Sequence, residues 1–326
     1  MKAILIDAPG DETVLRLGDA PEPELVPGSV RVRIAATAVN RADLMQRQGL
    51  YPAPPGASDV LGLECAGEVM EAASDVSGWK SGDRVMALLA GGGYAEQTVA
   101  SAGSLMPIPD GLSFEQAAAL PEVLLTVFLN VFQLAALPDR GAVLVHGGGS
   151  GIGTATIQLV KSAGGRVVVT AGSQDKCDRC LELGADVAVN YREGDFAQEA
   201  LALTDGQGVD VVLDSIGAPY LEANLRSLAI GGRLVLIGLM GGARSEVNLA
   251  ALLTRRLQII GSTLRARPDA EKARIVAGFQ QRFGAALAAG TIRPIVDRVL
   301  PLEQAAEAHR VMKASEHFGK IVLSVC

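Results

Sequence analysis

Val143-Leu144-Val145-His146-Gly147-Gly148-Gly149-Ser150-Gly151-Ile152-Gly153-Thr154 runs from a continuous apolar stretch into a glycine cluster, and from there into a helical pattern. Glycines let a backbone turn sharply and approach a pyrophosphate, and the helix that follows offers free N–H groups and the positive end of its dipole. A tight strand-to-helix turn with no ligand has the same composition. The difference lies in what comes next, and here a regular alternation follows. Strands are expected at 142–145, 166–170, 187–189, 209–213, 233–237 and 257–260, with helices at 151–163, 175–183, 196–203 and 220–228. The strands are mostly uninterrupted Val, Ile and Leu runs, as in a parallel sheet covered on both faces. This predicts a doubly wound α/β domain with the glycine turn after its first strand, where a nucleotide binds.

Alternatives for the turn fail on spacing. G-x-G-x-x-G is not met, and no Lys-Ser or Lys-Thr makes it a P-loop. His146-Gly147-Gly148-Gly149 resembles an esterase oxyanion loop, but Ile152 stands where G-x-S-x-G needs its last glycine. The short-chain dehydrogenase pattern needs Tyr-x-x-x-Lys, and none of Tyr51, Tyr94, Tyr191 or Tyr220 has Lys four residues on.

Upstream, residues 1–110 read as short strands (3–6, 30–36, 69–72, 84–88, 97–100) separated by Gly and Pro clusters, a β-rich and partly barrel-like unit. Ser113 caps a helix, Pro121 punctuates it, and an apolar run continues to Leu137. Downstream, 268–289 and 302–313 read as helices, 292–299 as extended chain and 320–325 as a strand. We expect this tail to return to the N-terminal unit. The expected division is residues 1–121 and 263–326 for one domain, with 122–262 inserted as the nucleotide-binding domain.

Composition bounds the function. The 326 residues are 49% hydrophobic, 20% charged and 4% aromatic, with a net charge of −7. That is too apolar for a disordered chain, and too acidic and ring-poor for a nucleic-acid platform or anionic-lipid binder. The N-terminus lacks a signal-peptide pattern, and no uncharged apolar window of about 20 residues is evident. Cys65, Cys177, Cys180 and Cys326 form no disulfide framework. A cytoplasmic protein without nucleic-acid or membrane partners is expected.

The second strand of the α/β series selects the cofactor. An NAD site tends to place an acid at its tip for the ribose 2′-OH. Here Thr170-Ala171-Gly172-Ser173-Gln174-Asp175-Lys176 ends in Gly172 and Ser173, and a hydroxyl with a nearby Lys suits a 2′-phosphate. Asp175 opposes this unless it points to solvent. Lys176 and Tyr191 are candidate adenosine-side ligands.

Over nearly its whole length the chain resembles the zinc-independent quinone oxidoreductases of the medium-chain dehydrogenase/reductase superfamily. The closest likeness is to the branch that contains the tumour-suppressor-induced quinone oxidoreductase. The carrying segments include Asn40 to Gly49, Pro54 to Ala57, Leu61-Gly62-Leu63-Glu64, Met86 to Leu89, Met106 to Pro109, the glycine turn, Asn190-Tyr191, Gly238 to Gly242 and Gly319 to Leu323. The resemblance implies a two-domain NADPH enzyme: a Rossmann domain inserted in a GroES-like catalytic domain. Gly147, Gly148, Ser150, Gly151, Ile152 and Gly153 then form the pyrophosphate turn, with Ser173, Lys176 and Tyr191 on the adenosine side. Met240 and Gly241 lie beside the carboxamide. Phe318 and Lys320 lie in a closing C-terminal segment. Asn40, Asp43, Tyr51 and Thr126 are implied as catalytic-site residues. The zinc-containing cousins have His where Leu63 stands and Cys near Asn40, so no metal is expected. Cys177-x-x-Cys180 lies within a helix and lacks a partner pair. The implied activity is hydride transfer from NADPH to a quinone by a homodimer pairing through a sheet edge, with 234–237 and 257–260 as candidate segments. Reduction of activated C=C bonds in enals or enones, or nucleotide binding without turnover, uses the same cofactor residues.

Overall fold

Alternation of small apolar residues with charged ones builds the N-terminal part. In the computed structural model, which describes residues 1–325, β1 (Lys2–Ile6) pairs antiparallel with β2 (Leu15–Asp19). In β3 (Ser29–Ala38) Val30, Val32, Ile34 and Ala36 point inward and are buried, the period-2 pattern of a strand with one core face. The chain then forms α1 (Arg41–Arg47), β4 (Glu64–Ala72), β5 (Arg84–Leu88), β6 (Gln97–Ser101) and β7 (Leu105–Pro107). Ser113 accepts the Gln116 N–H and Gln116 returns the bond, so a capping box starts α2 (Phe114–Ala118). After α3 (Pro121–Val127) the helix widens into π-helical turns over Phe128–Leu134. The stretch Phe114–Leu134 is apolar enough to cross a membrane, but 83% of its most apolar window is buried and it carries Glu115 and Glu122, which makes it a core helix.

The alternating region folds as expected: β8 (Ala142–His146), α4 (Gly151–Ser162), β9 (Arg166–Ala171), α5 (Gln174–Glu182), β10 (Val187–Asn190), α6 (Phe196–Leu203), β11 (Val209–Asp214), α7 (Leu221–Ser227), β12 (Leu228–Leu236), α8 (Leu249–Arg255) and β13 (Gln258–Gly261). All pairs are parallel, in the order β10-β9-β8-β11-β12-β13. This is the doubly wound order, whose first strand lies at the switch point. Val143, Leu144, Val145, Val167, Val168 and Val169 are fully buried, because both faces of these strands are covered.

The tail forms α9 (Asp269–Ala288), β14 (Val296–Pro301), α10 (Ala305–Ala314) and β15 (Lys320–Ser324). β15 pairs antiparallel with β3 and parallel with β14, completing a seven-stranded sheet of order β14-β15-β3-β4-β5-β7, with β6 on β3. The described residues form two compact units: 1–123 with 264–288 and 294–325, and 124–263 with 289–293.

Some expectations need correction. β2, β7, α1 and α8 have no counterpart among the expected elements. The segment 234–237 is no sheet edge: β12 lies between β11 and β13, and Leu234 and Val235 are fully buried. Only β13 of that pair is an edge. Cys65, Cys177 and Cys180 are buried free thiols; Cys326 lies outside the described residues.

Each unit contains a buried histidine locked in one tautomer. In the first, the Arg47 guanidinium, a donor only, faces His309 Nδ1 at 3.3 Å, so Nε2–H donates to the Tyr94 hydroxyl (3.1 Å), which donates to Asp43 Oδ2 (3.2 Å). In the second, His146 Nε2–H donates to Asn224 Oδ1 (2.7 Å), and Nδ1 accepts from the Thr170 hydroxyl (3.1 Å). Asn224 in turn donates to Asp214. Burial pulls His146 down to about 4, while burial with Arg47 alongside pulls His309 down to about 3. Both are neutral when folded and take up a proton on unfolding below about 6.5. Their stabilisation is complete above that pH and is lost on acidification toward 4. Asp43, pushed up to about 6 by burial, acts in the opposite sense between 6 and 3.8. Urea midpoints are expected to fall as pH drops from 6.5 to about 4, and His146→Gln or His309→Gln to flatten that slope. An unchanged slope in both variants contradicts the assignment.

Candidate functional site

The glycine turn joins β8 to α4. Gly147 has φ +75°, a conformation L side chains rarely adopt. Its N–H lies 3.4 Å from Thr170 Oγ1, and Gly148 N–H donates to Thr170 O (2.8 Å), so the turn is tied to β9. A Cβ on Gly153 would collide with the carbonyl oxygens of Gly147 and Gly148. Ser150 is the helix N-cap, its Oγ accepting the Gly153 N–H at 3.1 Å. First-turn N–H groups have no intrahelical acceptor. With Gly153 capped, those of Gly151 and Ile152 remain for a ligand.

The tip of β9 is built similarly. Ser173 caps α5, its Oγ accepting from Lys176 N–H (3.3 Å), which leaves its own hydrogen to donate elsewhere. The Tyr191 hydroxyl packs so closely on Gly172 that a Cβ there would sit 2.8 Å from it. Asp175 is exposed. The structure therefore gathers Gly172, Ser173, Lys176 and Tyr191 at one helix start. Beyond β12, Met240 and Gly241 donate backbone N–H to Ser215 O and Ile216 O, and Met240 is 54% exposed. Thr126, on α3, is nearly buried, its carbonyl accepting from Asn130 Nδ2 (2.8 Å).

Asn40, Asp43 and Lys320 meet in the other unit, in a network the sequence did not reveal. Lys320 Nζ lies 2.7 Å from Glu64 Oε1, and donates to Asn40 Oδ1 (2.6 Å) and Val39 O (3.0 Å). Asn40 Nδ2 donates to Glu64 Oε1 (2.9 Å), and Glu122 N–H to Glu64 Oε2 (2.9 Å). Glu64 and Lys320 are buried. Asp43 is fully buried and accepts from Asn40 N–H, Gly62 N–H and the Tyr94 hydroxyl. It is the capping acid of α1, the plainer of the roles open to it. Phe318 is also buried, its N–H donating to Asp297. The side chains of Asp43, Phe318 and Lys320 are therefore packed inside this unit rather than presented on a surface.

Tyr51 is half-buried. Arg265 lies over its ring, 5.3 Å from the centroid, and donates to Tyr51 O (3.3 Å), Ala90 O (2.7 Å) and Gln46 Oε1 (2.7 Å). Sequence reasoning missed Glu64 as an ion-pair partner, and missed Arg265, Tyr94 and the two histidine networks. Glu64 stood inside a matched segment, but its partner lies at the far end of the chain. Arg265 belongs to no motif.

The alcohol dehydrogenase GroES-like domain family matches residues 26–110, and the zinc-binding dehydrogenase family residues 151–277. The chain is 35% identical to the quinone oxidoreductase of Pseudomonas aeruginosa, over 99% of both chains. It is 31% identical to a phenolphthiocerol/phthiocerol polyketide synthase of Mycobacterium tuberculosis, over 98% of this chain but only 14% of that protein's length. The Escherichia coli quinone oxidoreductase complexed with NADPH superposes with TM-score 0.88 at 28% identity, over 99% of this chain and 100% of the other. An NAD-dependent alcohol dehydrogenase gives 0.87 at 36%, over 100% of both. The CurF ER cyclopropanase of curacin A biosynthesis gives 0.86 at 26%, over 100% and 99%. Fold and turn define an oxidoreductase with a nicotinamide cofactor and a small-molecule substrate. The chain belongs to the quinone oxidoreductases of the medium-chain dehydrogenase/reductase superfamily.

The residues present fit a dinucleotide: a glycine turn held open at Gly147, two first-turn N–H groups left for an acceptor, and a hydroxyl cluster at the β9 tip. They do not offer zinc donors at the cousins' positions. Leu63 is a buried hydrocarbon, and the Asn40 amide is spent on Glu64, Lys320 and Ala38 O. Among the described residues no group of three or more His, Cys, Asp or Glu is placed to hold a metal.

Removing one partner of a buried ion pair strands the other charge, typically at about 3–5 kcal/mol. Glu64→Gln is expected to lower unfolding free energy by an amount of that order, and Glu64→Met with Lys320→Met to recover part of it. Denaturant titration reads both. A near-neutral Glu64→Gln means the pair contributes nothing to the frame.

Proposed function

We propose that the chain is a metal-free NADPH-dependent quinone reductase. The observation that carries the cofactor half is the tip of β9. Gly172 and Ser173 place no carboxylate where a 2′-phosphate sits, Asp175 faces solvent, and the Tyr191 hydroxyl lies against Gly172. Ser173 keeps a hydrogen to donate and Lys176 supplies charge. NADPH supplies a hydride when bound. The chain's own work is then to orient and to exclude water. Gly151 and Ile152 N–H groups hold phosphate at the α4 terminus. Met240 and Gly241 flank the carboxamide, and Thr126 stands on the nicotinamide side. Asn40, Asp43 and Lys320 act from within, as positioning residues of the acceptor unit, while Tyr51 is the flat partner for a flat acceptor.

The quinone half draws support from the near-complete overlap with the Pseudomonas enzyme. A second reading, reduction of activated C=C bonds, is favoured by the likeness to a polyketide synthase segment and to CurF ER. A homodimer through the β13 edge is also part of the reading: Ile259 there is 38% exposed, and Leu249 and Leu253 of α8 are 71% and 79% exposed. Light scattering at micromolar concentration reads this; a monomer mass overturns it.

A lost charge-assisted hydrogen bond of about 1.5–3 kcal/mol weakens binding roughly 10- to 100-fold. Lys176→Ala is expected to raise the NADPH dissociation constant by that factor and leave NADH unchanged, and Ser173→Asp to reverse the preference. Equal weakening of both cofactors refutes the 2′-phosphate assignment. NADPH oxidation against matched quinones and enones, before and after chelator dialysis, decides the acceptor. Quinone turnover unaffected by chelator, and lowered by Tyr51→Ala at constant NADPH affinity, is expected. Turnover of enones alone selects the second reading.

A further inference from the structure

Among the described residues four lysine and arginine side chains are buried: Arg47, Arg265, Lys272 and Lys320. Three lie within ion-pair distance of a carboxylate: Arg47 of Glu12 (3.6 Å), Lys272 of Asp269 (3.7 Å) and Lys320 of Glu64 (2.7 Å). Arg265 does not. It is 4% exposed, and among the described residues no carboxylate comes within 4.0 Å of it. Its three hydrogen bonds go to neutral oxygens: Nε to Ala90 O, Nη1 to Tyr51 O and Nη2 to Gln46 Oε1. A guanidinium has five N–H groups, so one on each terminal nitrogen is left over.

A buried charge without a counter-ion is costly, and the cost is tolerated where a site uses the charge. Neutral carbonyls fix the plane and position of Arg265 without cancelling its charge. Burial also lowers its pKa, with Asp43 the main opposing charge. The plane lies over Tyr51, so charge and aromatic surface form one composite wall.

We propose that Arg265 is the charge-stabilising residue of the acceptor site, selecting acceptors whose carbonyl oxygen becomes anionic as hydride arrives. This rests on the reading of the Tyr51 loop as the acceptor site. The step balances simply. A hydride carries two electrons and a proton to the acceptor, the carbonyl π pair moves onto oxygen, and water supplies the second proton. For a quinone the oxygen is that of a hydroquinone anion; for an enone or enoyl thioester it is an enolate. Preorganised donors aimed at developing negative charge need no reorganisation during the step.

The experiment titrates two redox-inert probes into the protein at mildly alkaline pH, with and without oxidised cofactor. One is 4-nitrophenolate, the other its neutral near-isostere 4-nitrotoluene. Arg265→Met is expected to weaken the phenolate roughly 10- to 100-fold and the neutral probe hardly at all. Arg265→Lys keeps the charge and is expected to retain part of the preference, and it carries the test alone if Arg265→Met does not fold. Equal loss of both probes in a folded Arg265 variant makes Arg265 only a clamp on the Tyr51 loop, and no loss of either overturns the proposal. Tyr51→Ala separates the two levels. If both probes bind it as well as wild type, the acceptor-site reading has failed. If both weaken there while Arg265→Met keeps the phenolate preference, only the Arg265 inference has failed.

Discussion

A buried ion pair closes the first unit. Lys320 and Glu64 are both removed from water, and attraction across 2.7 Å offsets two desolvation penalties only if every other hydrogen-bonding site on the pair is used. Here both carboxylate oxygens and all three ammonium N–H groups are engaged. Lys320 has three acceptors: Glu64, Asn40 and Val39 O. Glu64 takes the Lys320 and Asn40 donors on one oxygen and Glu122 N–H on the other. The pair thereby joins β15, β4, the start of α1 and the start of α3. Because Asn40 has a donor and an acceptor pinned to opposite charges, its amide orientation is determined, and with it the N-terminus of α1. Asp43 extends the same frame to Gly62 and Tyr94.

The second unit reaches rigidity by a neutral route. A parallel sheet covered on both faces leaves little room for charge, so its polar connections are made by His146, Thr170, Asn224 and Asp214. Each is buried and each is given a partner. Asp214 accepts from the Ile216 and Gly217 N–H groups, and Gly217 bridges to Gly242. The strand end that carries the glycine turn and the loop that carries Met240 and Gly241 therefore share one hydrogen-bonded chain. His146 sits where a catalytic base would invite attention, directly before the turn. Its tautomer is spent on holding that chain, and its lowered pKa is a consequence of burial rather than a sign of proton transfer.

What was legible in the sequence was local. Continuous Val runs in β8, β9 and β11, and glycines packed into eight residues, read directly because each signal is contiguous. β2 was not legible: Leu15-Arg16-Leu17-Gly18-Asp19 is only five residues long and has no buried residue to set an alternation. α8 failed for a different reason: Leu249 and Leu253 are exposed while Leu252 packs on the core, so apolar residues fall on both sides of a seven-residue helix and mark no single face. Candidate site residues on the glycine turn and the β9 tip could be named from a short window. Those that depend on distant partners could not. Asn40 meets Lys320 across 280 positions, and Arg265 meets Gln46 across 219. Resemblance drew attention to Lys320, but only packing shows that its charge is paired with Glu64.

That last distinction separates frame from chemistry. A charge held by permanent partners has little left to offer a substrate directly, and Lys320, with acceptors at Glu64, Asn40 and Val39 O, is the clearest case. Arg265 and Tyr51 come from segments 214 positions apart in the chain, a loop after α1 and the stretch following β13, and both lie outside the regular elements that carry the dinucleotide turn. Loops can change while the sheets beneath them stay fixed. A family whose members keep the same fold at 28–35% identity can therefore hold the donor constant and vary the acceptor. On the proposed reading of Arg265 and Tyr51 as the acceptor wall, its charge and shape are what must vary with the acceptor.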